Sequence, residues 1–166
     1  AYGGMAAALR EASEGVGGLE EADSVAVDPH KWLYAPLEAG CVLVRDRDAL
    51  PAAFAYRPPY YHFDPDETNY VDYGLQNSRG FRALKVWLAL QHAGASGYRS
   101  MMASDIARAQ RLARAVEQHP ALELHARHLS IATFRYVPPD LAARAGQPAV
   151  ARYLNALNEA VLDAIQ

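Results

Sequence analysis

Asp28-Pro29-His30-Lys31-Trp32 follows directly on the run Val25-Ala26-Val27. A lysine placed where a short apolar strand breaks off at a proline has the setting of a catalytic amine. Val25 to Val27 on one side and Trp32, Leu33 and Tyr34 on the other would shield the amine from water and favour its neutral, nucleophilic form. Pro29 fixes one backbone dihedral beside it and restricts Asp28 as well, which helps aim a long side chain. The pattern points to Schiff-base chemistry at Lys31. The plain alternative for His30 is a structural imidazole hydrogen-bonded to backbone.

A second group of candidates lies downstream. From Pro51 to Asn77 helical and strand periodicity both vanish, while Pro58, Pro59 and Pro65 and five tyrosines accumulate. A long irregular segment in a compact domain is usually functional, and this one reads as a mobile active-site loop. Arg79 and Arg82 suit either a substrate carboxylate or phosphate, or structural bonds to backbone and carboxylates. His62, Asp64, Asp66 and Glu67 have no ligand spacing, and His119, His125 and His128 lack a second set of ligands, so no metal is assigned.

The elements that must position these residues follow from periodicity. Met5 to Glu14 is alanine-rich and predicts a short helix ended by Gly15-Val16-Gly17-Gly18. Ser24 to Val27 and Gly40 to Val44 read as short buried strands, the second closed by Arg45 to Asp48. Asn77 or Ser78 is placed to cap a helix from about Arg79 to His92, with Phe81, Leu84 and Leu88 on one face, widened by Trp87 and Leu90. Gly94 and Gly97 interrupt it. A second helix, about Met101 to Gln118, is expected to bury Ile106, Ala109, Leu112, Ala113 and Val116 before Pro120. Leu122, Leu124 and Ala126 alternate as a strand, Ile131 to Val137 forms another, and a last helix starts near Pro148 with Val150, Leu154, Leu157, Val161 and Ile165 in a stripe. This order predicts the end of one α/β domain, residues 1–100, followed by the start of a smaller α+β domain, 101–166.

Composition bounds the function classes. The chain has 166 residues, 51% of them hydrophobic, enough for an ordinary core without disulfides or metal. Sixteen basic against nineteen acidic residues, with no basic cluster, argue against nucleic acid as a partner. No apolar segment approaches the roughly 20 residues of a membrane helix. Cys41 alone excludes an internal disulfide and predicts a reducing, cytoplasmic setting. The opening Ala1-Tyr2-Gly3-Gly4 carries no leader pattern, and the last apolar stripe runs almost to Gln166, so the chain reads as an excerpt of a longer protein.

Three segments, Ala1 to Gly4, Ala22 to Trp32, and Ser78-Arg79-Gly80-Phe81-Arg82-Ala83-Leu84-Lys85-Val86-Trp87, resemble in order and spacing the pyridoxal-phosphate-dependent group II amino-acid decarboxylases. The resemblance implies a fragment of the aspartate-aminotransferase-like fold (fold type I), with residues 1–100 forming the C-terminal part of its large cofactor domain. It implies that Lys31 holds pyridoxal 5'-phosphate as a Schiff base and that His30 sits by the cofactor phosphate or the closing loop. Asp28 stands where animal relatives often have asparagine, and a carboxylate there would repel a phosphate unless turned away. Pro58-Pro59-Tyr60 falls where relatives have Pro-x-Tyr, so the resemblance makes Tyr60 the donor of a proton to the substrate α-carbon, with Tyr61 the alternative. The aspartate that pairs with the pyridine nitrogen is expected just upstream of Ala1. The activity implied is decarboxylation of an L-amino acid, aromatic by preference, in a homodimer whose loop reaches the partner's site. Its rivals are transamination, aldehyde formation, or a cofactor-free paralogue acting as a binding module.

Overall fold

The computed structural model describes residues 2–9, 16–62, 64 and 66–166. It divides into two compact units, Ala1–Arg99 and Ser100–Gln166.

In the first unit, β1 (Ser24–Val27) pairs antiparallel with β2 (Cys41–Val44), in the register Ser24↔Val44 to Val27↔Cys41. Because Val27 and Cys41 face each other, residues 28–40 leave and re-enter the sheet at one point, and Lys31 lies on that excursion. Both strands fall where the apolar runs predict them, but only Val27 is buried, and Cys41, Val42 and Leu43 are exposed. Among the described residues this sheet has two strands, so neither has a neighbour on its outer edge to help cover an all-apolar run. The predicted helix at 5–14 is instead a 3-10 turn, Gly4–Ala8, with residues 10–15 outside the described set. The core of this unit joins Ala6 and Leu9 to Val27, Trp32, Ala35, Ala39 and Tyr98.

The segment expected to be wholly irregular contains ordered pieces. Helix α1 spans Ala49–Phe54, and a 3-10 turn spans Tyr70–Tyr73. The Asp46 carboxylate accepts from the Asp48 N–H at 3.0 Å in the turn that precedes α1, and Pro51 is tolerated in the first turn of the helix, where an N–H would have no helical partner. The two pieces lie against each other.

Helix α2 spans Arg82–Gln118. Asn77 and Ser78 do not cap it. The chain folds tightly at Gly80, whose carbonyl accepts from Arg82 N–H at 2.8 Å, and this delays the helix to Arg82. Gly94 is its one non-helical residue, at φ 63° and ψ 172°, a conformation that suits glycine; Gly97 stays helical. The face carrying Phe81, Leu84, Trp87, Leu88 and Leu90 is exposed in this chain, contrary to the core role that its periodicity suggests.

In the second unit the α2 positions Met102, Ala109, Ala113 and Val116 are buried at helical spacing, whereas Ile106 is half-buried and Leu112 exposed. Strands β3 (Leu122–His128) and β4 (Ile131–Tyr136) form an antiparallel hairpin through Leu129 and Ser130. A bulge at His125 shifts the register between Leu124 and Ala126. Helix α3 (Pro148–Ile165) contacts β4 and buries Leu154 completely, while Val161 and Ile165 at its end are exposed. Asn158 ties the two together: its Oδ1 accepts from Tyr136 N–H at 2.7 Å, and its Nδ2 donates to the carbonyls of Tyr136 at 2.9 Å and Leu154 at 2.8 Å.

Candidate active site

The excursion 28–40 is held by its own backbone. Lys31 N–H donates to Asp28 O at 3.0 Å, Tyr34 N–H to Lys31 O at 3.1 Å, and Ala35 N–H to Pro29 O at 3.0 Å. Lys31 therefore sits between two successive turns, with its Cα fixed. Trp32 anchors the turn from beneath, 3% exposed, its ring stacked on Tyr2 at 5.3 Å between centroids and 11° between planes. Tyr34 takes a left-handed φ of 51°, and its ring meets that of Tyr98 at 6.3 Å. A positive φ at a bulky residue is strained, and such residues concentrate where backbone must be aimed.

The Lys31 side chain departs from the expectation of a desolvated amine. It is 47% exposed, and Nζ lies 2.7 Å from Asp28 Oδ2. The reason is local. The turn that bonds Lys31 N–H to Asp28 O also brings the two side chains to one side, while the apolar neighbour Trp32 faces into the core. The hydrogen bond from Lys31 holds the Asp28 carboxyl below its ordinary range, so it stays ionised and spoken for. That carboxylate is turned to the amine.

The backbone-bonded alternative for His30 is what the geometry shows: Nδ1 donates to the Ala39 carbonyl at 2.8 Å, across the neck of the excursion. Assigning the proton to Nδ1 leaves Nε2 as the uncommitted nitrogen. Tyr60 lies on a separate turn, where Tyr61 N–H donates to Pro58 O at 2.9 Å; it is 72% exposed, its ring edge-on to that of Tyr61 at 4.9 Å. Among the described residues, no hydrogen bond or ring contact joins Tyr60 to Lys31 or His30.

Neither arginine of the Arg-Gly-Phe-Arg segment is uncommitted. Arg82 donates through Nε at 3.0 Å and Nη2 at 2.7 Å to Glu38 Oε1, and that bond holds the Glu38 carboxyl below its usual range. Arg79 makes a long bond of 3.4 Å to the Tyr70 carbonyl. Both act structurally here, and the Arg82 bond ties the helix start to the lysine excursion. Asp72, which belongs to no sequence motif, is buried in the 3-10 turn and bound to Arg57 Nη2 at 2.6 Å. Its only signal in the sequence is an acid enclosed by Tyr70, Val71 and Tyr73.

Comparison with known proteins bears on this geometry. The family model described as the pyridoxal-dependent decarboxylase conserved domain matches residues 1–137. The aromatic-L-amino-acid decarboxylase of Bacillus atrophaeus is 35% identical over 147 residues, covering 86% of this chain and 31% of the relative. Tyrosine decarboxylase 2 of Arabidopsis thaliana is 32% identical over 145 residues, covering 84% and 27%. Among solved structures, Oryza sativa TDC with PLP and tryptamine superposes with a TM-score of 0.83 at 27% identity, over 99% of this chain and 34% of that one. Mouse CSAD superposes with a TM-score of 0.77 at 25% identity, over 92% and 32%. The chain thus spans about a third of the length of these relatives, and its fold is a fragment of theirs. By its family match and its relatives, the chain belongs to the pyridoxal-dependent decarboxylases.

Proposed function

We propose that the protein containing this chain decarboxylates an aromatic L-amino acid to its amine with pyridoxal 5'-phosphate, and that Lys31 is the residue holding the cofactor. The observation that carries this is Lys31 itself, an accessible primary amine on a backbone pinned on both sides and backed by a buried tryptophan. An aldehyde cofactor needs an amine that can be reached and whose place does not wander, and these residues fit it. The aromatic preference is supported by relatives named for aromatic-amino-acid, tyrosine and tryptophan decarboxylation.

Bound there, the cofactor would supply the electron sink for the pair left behind by carbon dioxide. The chain's own residues would do the rest. Lys31 Nζ would hold the cofactor covalently, yield it to the substrate amine, and take it back at the end. Asp28 is a poor base because Lys31 keeps its carboxyl ionised, so it would place the amine rather than deprotonate it. With Nδ1–H committed to Ala39, His30 carries a proton on Nε2 only as imidazolium, the form that would pair with a phosphate. Tyr60 would give its hydroxyl proton to the substrate α-carbon, which favours amine over aldehyde as product; Tyr61, next to it on the same turn, is the alternative donor.

The same proposal takes 1–100 as the C-terminal part of the large cofactor domain and 101–166 as the start of the small one. It takes the whole protein as a homodimer whose tyrosine turn serves the partner's site, in a reducing cytoplasm consistent with a lone cysteine. The test is borohydride reduction of the full-length protein followed by peptide mapping. A pyridoxyl group on the peptide carrying Lys31, lost in Lys31→Ala together with carbon dioxide release from aromatic amino acids, is the expected result. Label on another lysine overturns the role given to Lys31, and no visible absorbance from the purified protein overturns the whole reading in favour of a cofactor-free module.

A further inference from the structure

We propose that Arg57 and Asp72 form a clasp that positions the tyrosine turn, so that Asp72, more than forty residues along the chain from Lys31, governs the proton transfer assigned to Tyr60. The proposal rests on that reading of Tyr60 and extends it to two residues that do not touch the substrate. Arg57 Nη2 lies 2.6 Å from Asp72 Oδ2, and the Asp72 side chain is 3% exposed in a segment whose neighbours are mostly open to water. Its other oxygen, Oδ1, is buried and has no hydrogen-bond partner among the described residues. A buried carboxylate with one donor depends wholly on that donor, because losing it leaves an uncompensated charge away from water.

Stability alone does not account for the pair. Only the carboxylate is buried, the Arg57 side chain being 58% exposed, so the pair carries the desolvation cost of Asp72 that an apolar residue there would not, and what it adds in return is register. Here the register is that of the tyrosine turn. The pair joins the residue just before Pro58 to the 3-10 turn Tyr70–Tyr73, which lies against α1. Pro58 is buried with its φ fixed, and the bond from Tyr61 N–H to Pro58 O at 2.9 Å closes the next turn. From the guanidinium of Arg57 to the backbone of Tyr60 every residue is thus constrained, and the exposed Tyr60 ring turns on a fixed base.

The experiment uses the full-length, cofactor-loaded protein in four forms: parent, Arg57→Met, Tyr60→Phe and the double variant, with Arg57→Lys as the conservative control. Backbone hydrogen exchange in the peptide spanning 57–62 is expected to rise about tenfold in Arg57→Met, to stay near the parent in Arg57→Lys, and to leave the peptide spanning 24–45 unchanged. In amine formation, Arg57→Met is expected to lower kcat on the order of ten- to a hundredfold with KM little changed, the usual consequence of a reacting group displaced by about an ångström. In the Tyr60→Phe background it is expected to add no further loss. Unchanged exchange, or the same loss in both backgrounds, overturns the clasp. Parental turnover in Tyr60→Phe overturns instead the reading of Tyr60, and with it the catalytic part of this proposal, while the exchange still decides whether the pair holds the turn. Should Arg57→Met fail to fold, the neutral pair Arg57→Met/Asp72→Asn carries the same comparison.

Discussion

Replacing Trp32 by alanine removes the anchor under the lysine turn, and the cost can be worked from its surroundings. The indole is 3% exposed. A buried tryptophan hides roughly 150–250 Å², which at about 25 cal/mol per Å² corresponds to about 4–6 kcal/mol of transfer free energy. Alanine keeps part of that contact, and large-to-small changes of this kind cost about 3–5 kcal/mol once the cavity is included. The stack on Tyr2, at 5.3 Å and 11°, contributes about 0.5–1.5 kcal/mol beyond area. Trp32→Ala is therefore expected to lower stability by about 3–5 kcal/mol, a large part of the roughly 5–15 kcal/mol of a whole domain. Trp32→Phe, which keeps a ring over Tyr2, is expected to cost about half as much. Urea unfolding of the full-length protein by far-UV circular dichroism gives the midpoint shift at constant slope, and a Tyr2→Leu, Trp32→Leu cycle isolates the stack. A loss below about 1 kcal/mol in Trp32→Ala, or a cycle with no coupling, refutes the account of Trp32 as the anchor.

Two further perturbations test the rest of the architecture. Asn158→Ala deprives Tyr136 of both backbone partners and is expected to cost about 1–3 kcal/mol in the same unfolding assay; Asn158→Asp, which sets a carboxylate against the carbonyls of Tyr136 and Leu154, is expected to cost at least as much at neutral pH. Glu38 has a folded pKa depressed by the hydrogen bond from Arg82, so between that value and its ordinary 4.5 the unfolded chain binds more protons than the folded one. The stabilisation is present in full above about pH 4.5 and is lost as pH falls through the depressed value. Comparing the acid limb of the parent with that of Glu38→Gln is expected to show a difference that is flat above this window and vanishes below it; a difference that grows towards acid contradicts the pairing.

Much of the site was legible because it depends on local chemistry. Two short apolar runs flanking a proline are enough to predict both strands, since strand pairing across a short connection needs little beyond adjacent apolar segments. The motif from Asp28 to Trp32, with the segments at either end of residues 1–87, is enough to predict the family, which the comparisons bear out. The alternation of Leu122, Leu124 and Ala126 marked β3, although not the bulge at His125, whose extra residue pairs Ala126 with Thr133 and so takes it off the face that Leu124 shares with Phe134. The expected start of α2 at Arg79 lies three residues before the observed one at Arg82. Asn77 and Ser78 have the right side chains for capping, but a tight fold at Gly80 takes the backbone elsewhere.

What sequence alone determines about this protein is its family and the order of its elements, because residue type, proline restriction and apolar periodicity are properties of neighbours along the chain. Which way each side chain faces was decided by tertiary structure. Trp32 turns inward onto Tyr2 and Lys31 outward to Asp28 because consecutive residues in a turn diverge by its geometry, not by their polarity. Asp72 is buried and Arg57 is its partner because α1 meets the 3-10 turn at Tyr70–Tyr73, a contact between segments that no local pattern connects.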